Sequence, residues 1–277
     1  MDAKFAIKNG ELIKSEDANI SVFNKSMFFD FAVYSNIKVN NGKTFLADFE
    51  IEKLFESAQA IELSHNFTKK QILEWTNLLI EKNKLKDALI RLLLIGGEKK
   101  SEPVLFLFPV GLTYYQDKLY KKGVKLVSYK GQRYFPTSKT KNLLLNYIAY
   151  REASKNDAID ALLIDNKGNI SEGTRSSFFA IKGDVLIAPP KNEVLEGVTR
   201  KIIMEIAPKI LKISEQDIPL GRIKDYDEFF ITGTTLKVMP INKIDDFVLK
   251  SDFPKVKQIQ KLFDEYCKKQ IPTDPYE

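Results

Sequence analysis

Hydrophobic and polar positions alternate in short runs at the start of the chain, and the period then changes. Lys4 to Ile7 and Glu11 to Ile13 flank Asn9-Gly10, a dipeptide that accepts the left-handed backbone of a tight hairpin turn. A longer β-rich run, Phe31 to Val39, ends at a second turn, Asn40-Asn41-Gly42-Lys43. Phe49, Leu54, Phe55, Ala58 and Ile61 then recur at near-helical spacing, with Asp48 placed to cap the helix. Thr68-Lys69-Lys70-Gln71 has the capping-box pattern of a second helix, with Ile72, Trp75 and Leu79 on one face. Strands return at Ala88 to Ile95 and Val104 to Phe108.

Pro109-Val110-Gly111 marks a boundary. It predicts a small N-terminal domain over 1–111, a Tyr- and Lys-rich linker over 112–122 and a larger domain over 123–277. The larger part predicts a strand at Lys125 to Tyr129 and a helix from about Asn142 to Lys155. Short strands between 160 and 189 follow, broken by the turn Asn166-Lys167-Gly168-Asn169, then a helix near Thr199 and a last one over roughly Pro254 to Lys269. The class is α+β, a mixed α/β protein. A parallel dinucleotide-binding sheet is excluded, because no Gly-x-Gly-x-x-Gly follows a strand.

Composition narrows the function. At 277 residues and 44% hydrophobic content the chain can bury sizeable cores. The net charge of +6 does not point to nucleic acid, because the cations are interspersed with acids, as in Glu81-Lys82-Asn83-Lys84-Leu85-Lys86-Asp87. Only six of the 43 cations are arginine (91, 133, 151, 175, 200, 222), which leaves 43 − 6 = 37 lysines, a general lysine bias. No apolar run is long enough for a bilayer, the start of the chain has no secretory pattern, and the single Cys267 fits a reducing compartment. These features predict a soluble cytoplasmic protein with no membrane or nucleic-acid partner. One histidine, His65, in a polar loop, and one cysteine speak against a metal site and against a Ser-His or Cys-His nucleophile.

The candidate chemistry lies in four segments, in order. They are Ser138-Lys139-Thr140-Lys141-Asn142-Leu143-Leu144, Ile170-Ser171-Glu172-Gly173-Thr174, Leu195-Glu196-Gly197-Val198-Thr199-Arg200 and Ile231-Thr232-Gly233-Thr234-Thr235. They supply an amine, a carboxylate, and turns rich in backbone N–H and hydroxyl groups. Those are the parts that hold pyridoxal phosphate: a lysine to bond it, a partner for the ring nitrogen and a phosphate cradle. In isolation Lys139 is one lysine among 37, and Glu172 reads as an ordinary surface acid. The series is what carries information.

In order and wording the segments resemble the fold-type IV pyridoxal-phosphate enzymes. That group holds branched-chain aminotransferases, D-amino-acid aminotransferases and aminodeoxychorismate lyases. The resemblance implies a two-domain fold like that of D-amino-acid aminotransferase, with a pseudo-barrel of strands in the larger domain, and a homodimer. It implies Lys139 as the lysine that bonds pyridoxal 5'-phosphate and moves the substrate proton. Lys139 precedes Asn142-Leu143, a helix running to Glu152-Ala153-Ser154, and Ala158-Ile159-Asp160-Ala161-Leu162-Leu163, whereas Lys141 lies too close to Asn142. Glu172, 172 − 139 = 33 residues on, matches the family's ring-nitrogen partner. Leu195 matches the leucine on the ring, and Val198, Thr199 and Thr234 match the phosphate contacts.

The first domain matches less well. Where the family has Arg-Gly-x-x-Tyr-Gly-Asp-Gly-Val-Phe-Glu, this chain runs from Lys25 to Ser35, with the glycines and the final Glu gone. Lys53 stands for the phosphate arginine of His-x-x-Arg-Leu, and Arg175 adds a cation after Glu-Gly-Thr, where a small residue is usual. Arg91, Tyr34, Thr235 and Arg175 are the substrate-side candidates, and a buried Arg91 would need a partner. The implied activity is amino-group exchange between an amino acid, branched-chain-like or D, and a 2-oxo acid. Alternatives are aminodeoxychorismate lyase and a degenerate member without turnover.

Overall fold

A computed structural model describes residues 3–97, 102–249 and 252–270. The chain divides into two units: Met1–Thr113 with Ser138–Asn142, and Tyr114–Thr137 with Leu143–Lys269.

The first unit is an antiparallel sheet of β1 (Phe5–Lys8), β2 (Glu11–Lys14), β3 (Ala32–Asn40), β4 (Lys43–Phe45), β5 (Ala88–Ile95) and β6 (Val104–Val110), in the order β2-β1-β6-β5-β3-β4. Its helices are α1 (Lys25–Phe28), α2 (Ala47–Ala60) and α3 (Lys69–Asn83). Asn9 and Gly10 both take positive φ, 51° and 91°, as the hairpin turn requires. β5 alternates, with Ile90, Leu92 and Leu94 buried in one core with Ile51, Leu54, Ile72 and Leu79. Each such side chain contributes roughly 1.5–3 kcal/mol on full burial. Arg91 and Leu93 point to the other face.

Two expectations for this unit change. α2 starts at Ala47 behind Leu46, which turns left-handed at φ 48°. Asp48 therefore sits inside the first turn and pairs with Lys69 at 2.9 Å instead of capping. Pro109 and Val110 are strand residues of β6, opposite Ile90 and Leu89. The capping box on α3 is present, with Gln71 N–H donating to Thr68 Oγ1 and Thr68 N–H to Gln71 Oε1.

The second unit has α4 (Asp117–Lys122), β7 (Val124–Lys130), α5 (Leu144–Lys155), β8 (Asp160–Ile164), β9 (Ile170–Gly173), β10 (Ser177–Lys182) and β11 (Val185–Ala188). It continues with α6 (Val198–Ile206), β12 (Lys212–Glu215), β13 (Glu228–Gly233), β14 (Lys237–Ile244), β15 (Phe247–Val248) and α7 (Pro254–Gln270). β7, β8, β9, β10, β13 and β14 close into a six-stranded barrel, because β9 pairs with both β8 and β10. Leu126, Leu162, Phe178, Ile231 and Met239 share its core. The closing pair is Ser177 with Glu172. A Cβ on Gly173 would lie 2.1 Å from Ser176 Oγ and 2.7 Å from Asp160 Oδ2, so the closure needs a bare residue.

The stretch 112–122, read from sequence as a linker, holds α4 against β14. The segment Ser138–Asn142 falls with the first unit, not with the residues around it. Tyr34 N–H donates to Lys139 O at 2.9 Å, Lys141 N–H donates to Ala32 O at 2.8 Å, and Thr140 bridges to Val33. That backbone is extended against β3, which delays the start of α5 to Leu144.

Candidate active site

Lys139 is buried, 9% exposed, on a segment gripped from two sides. Its carbonyl is bound by β3, and its N–H donates to Ser57 Oγ of α2 at 3.0 Å. Its Nζ donates to Glu50 Oε2 at 2.6 Å, with Ser35 Oγ at 3.5 Å. Ser35 in turn donates to the same Glu50 oxygen at 2.5 Å. An amine in this setting is oriented and shielded, unlike a solvated surface lysine. Lys53, one turn further along α2, is also buried and pairs with Glu56 at 2.7 Å, its amine 6.0 Å from the Phe49 ring centre.

On the opposite face of the sheet, Arg91 Nε donates to Asn36 Oδ1 at 3.1 Å, and its guanidinium lies 5.6 Å from the Tyr34 ring centre. That supplies the partners the charge needs, and it brings two substrate-side candidates together. Phe108 is Arg91's neighbour across the strands, and Leu93 follows two residues on, so the cation stands beside apolar surface.

In the second unit the carboxylate of Glu172 is buried at the barrel closure. Arg133 Nε donates to its Oε1 at 2.6 Å and the Leu195 N–H also binds it. Burial pushes the Glu172 carboxyl above its ordinary range, opposed by Arg133, by the Leu195 contact and by the field of Arg200. Register places Glu172, Ser177 and Thr232 in one row across the barrel wall. Thr232 Oγ1 is buried without a hydrogen-bond partner.

Val198 and Thr199 are the buried first residues of α6, whose N-cap, Gly197, has no side chain to cap it. The first-turn N–H groups are thus free of a competing side-chain acceptor at the positive end of the helix. Thr234 and Thr235, half-buried, lie in the turn between β13 and β14. Arg175 is exposed, 4.2 Å from the Tyr150 ring centre and 3.4 Å from Tyr115 Oη.

Four residues beside these groups escape the sequence reading: Glu50, Ser57, Arg133 and Asp160. Asp160 is buried and accepts from Thr174 Oγ1 (2.5 Å), Ser176 Oγ (2.8 Å) and Ala161 N–H (2.9 Å), which fixes the turn after Glu172. The usable signal is the scarcity of arginine, which makes Arg133, six residues before Lys139, conspicuous. His65 lies in the loop between α2 and α3, with its ring against aromatic side chains. Its ring lies 4.5 Å from Phe55 and 6.0 Å from Phe67, and burial lowers its pKa. Among the described residues no group of His, Cys, Asp and Glu could hold a metal ion.

The family model described as amino-transferase class IV matches residues 32–244, and the chain belongs to that family. It is a pyridoxal-phosphate-dependent aminotransferase. Among its relatives, a Rickettsia bellii protein named "Probable branched-chain-amino-acid aminotransferase" is 32% identical over 94% of both chains. The D-alanine aminotransferase of Staphylococcus epidermidis is 30% identical over 86% of this chain and 88% of that one. Among solved structures, a T.th. branched-chain amino acid aminotransferase with pyridoxamine 5'-phosphate has a TM-score of 0.89. It is 20% identical and covers 98% of this chain and 96% of that one, a likeness of fold.

The residues fit pyridoxal phosphate. A shielded amine, a buried carboxylate, an uncapped helix start and the orphaned Thr232 hydroxyl match the cofactor's aldehyde, ring nitrogen and phosphate in chemical kind. When bound, the cofactor supplies an aldehyde for covalent capture and a ring that withdraws electrons from the substrate Cα. Among the described residues no helix is long and apolar enough to cross a membrane.

Proposed function

We propose that this enzyme passes the amino group of an amino acid with a branched apolar side chain to a 2-oxo acid. The observation that carries the reading is the setting of Lys139, a buried amine held by Glu50 and Ser35 on a segment fixed by β3 and Ser57. Lys139 bonds the cofactor, and its Nζ, once free, takes the proton from the substrate Cα. Glu172 faces the ring nitrogen and Leu195 the ring. Val198, Thr199 and Thr234 would receive the phosphate, and Lys53 would join them by giving up its pair with Glu56. Arg91 with Tyr34 binds the substrate carboxylate, beside the apolar surface of Leu93 and Phe108 that suits an alkyl side chain. Thr235 and Arg175 complete the substrate side. The name of the Rickettsia bellii relative supports the same substrate class.

The enzyme works as a homodimer. Val22, Phe23, Phe28 and Phe29 of the first unit are exposed, the last two in ring contact, and a second copy would cover them. Its one cysteine, Cys267, suits the cytoplasm.

The test is single-turnover absorbance of the holoenzyme with a panel of L- and D-amino acids, with borohydride reduction and peptide mapping alongside. Response to L-branched-chain substrates and a pyridoxyl group on Lys139 are expected. Response to D-alanine alone would transfer the reading to the activity named for the Staphylococcus epidermidis relative. An adduct on Lys141 would overturn the lysine assignment.

A further inference from the structure

Among the described residues, the cation that Glu50 meets is the amine of Lys139. The carboxylate sits on the buried side of α2, 2% exposed, and its Oε2 accepts from Lys139 Nζ at 2.6 Å and from Ser35 Oγ at 2.5 Å. The other nearby lysine on the same helix, Lys53, is taken by Glu56. Ser35 fixes the oxygen's position from β3, at the point where the resembling sequences carry a glutamate. The strand here gives a hydroxyl, and the helix gives the charge.

We infer that Glu50 is the positioning residue that fixes the Lys139 amine, through an ion pair the amine must leave before it can bond an aldehyde. A buried ion pair is costly to break from one side, so the contact holds the amine where it stands. The inference rests on the reading of Lys139 as the cofactor lysine.

It has a consequence in the cofactor-free protein. To capture an aldehyde, the ammonium must first lose one proton, to Glu50 or to water. The nitrogen lone pair then bonds to the aldehyde carbon, and the two remaining N–H protons leave with the aldehyde oxygen as water. The amine must also leave its contact with Glu50, and that contact slows capture.

The experiment mixes apoprotein with pyridoxal 5'-phosphate and follows the visible absorbance of the adduct. Glu50→Gln keeps the shape and an acceptor for Ser35 but removes the charge, so it should capture about five- to tenfold faster than wild type. Glu50→Asp, which restores the charge, should return the rate toward wild type. A thermal melt of each apoprotein checks folding. Should Glu50→Gln fail to fold, Ser35→Ala loosens the carboxylate without removing it and should also speed capture, by a smaller factor. A folded Glu50→Gln that captures at the wild-type rate or slower overturns the inference, as does an unchanged or slower Ser35→Ala where that variant stands in. Borohydride mapping separates the two levels. A pyridoxyl group on another lysine overturns the reading of Lys139 and this inference with it, whereas Lys139 labelled at an unchanged rate overturns the role of Glu50 alone.

Discussion

Arginine is used sparingly in this chain, and each of the six has a defined partner, Arg151 over Tyr147 and Arg222 with Asp225 among them. Arg91 meets Asn36 and Tyr34, Arg133 meets Glu172 and the Pro136 carbonyl, Arg175 lies on Tyr150, and Arg200 binds the Pro189 carbonyl at 2.9 Å. Lysine, a point charge, fills the solvated positions. Lys139 and Glu172 were legible because the local wording around each is distinctive. Glu50 and Arg133 were not, because their partners lie 89 and 39 residues away and no local pattern encodes such a pairing. Asp160 was quoted as part of a strand, yet its three donors come together only when β8 and the turn after β9 meet. Burial holds its carboxyl above the ordinary range, so the folded state binds that proton more readily than the unfolded state. Its titration therefore favours folding below the ordinary carboxylate range, and this contribution is lost as pH rises through the raised value. Melting temperatures of wild type and Asp160→Asn, taken from about pH 4 to neutral, should show the wild-type advantage shrinking steadily with pH. A gap that widens would show that the carboxylate is stabilised by its donors more than it is penalised by burial.

At the scale of elements, the period and turn residues located the main strands and helices up to β11 and the helices α6 and α7, but not α1, α4 or the strands β12 to β15. The hairpin at Asn9-Gly10 and the box at Thr68 were readable because their chemistry is contained within four residues. α4 was missed, since a six-residue helix, Asp117–Lys122, is too short to show an apolar stripe. The barrel closure was also hidden, because it depends on the single pairing of Glu172 with Ser177 across a tight turn. Gly173 is the element-level test. Gly173→Ala forces its new Cβ against Ser176 and Asp160, so it should destabilise by about 1–3 kcal/mol in chemical denaturation. The same change should disturb Glu172, one residue away, and weaken the cofactor's spectral response to substrate. A variant with wild-type stability would mean that the closure has slack.

For the whole molecule, the family, and through the resemblance the barrel, followed from four short segments, while no local pattern marked the exposed phenylalanines. Phe28 and Phe29 are 79% and 72% exposed and stack edge to face. Replacing both with serine removes two of the four exposed apolar side chains and leaves the cores untouched. Light scattering should then report a shift from dimer toward monomer, with the melting temperature of the remaining monomer largely kept. A mass unchanged at dilute concentration would place the contact elsewhere. Ser138–Asn142 belongs to the first unit because β4 pairs with β3 at Lys38–Asn40 and leaves the Ala32–Tyr34 end of that edge to be covered. On a ribosome this imposes a waiting time. The first 113 residues emerge with that end of β3 bare, and its cover arrives 142 − 113 = 29 residues later. At typical synthesis speeds this takes roughly 1.5–6 s. During that interval the nascent chain carries an unfinished sheet edge that can recruit the wrong strand, and the same few residues that end the exposure deliver the lysine.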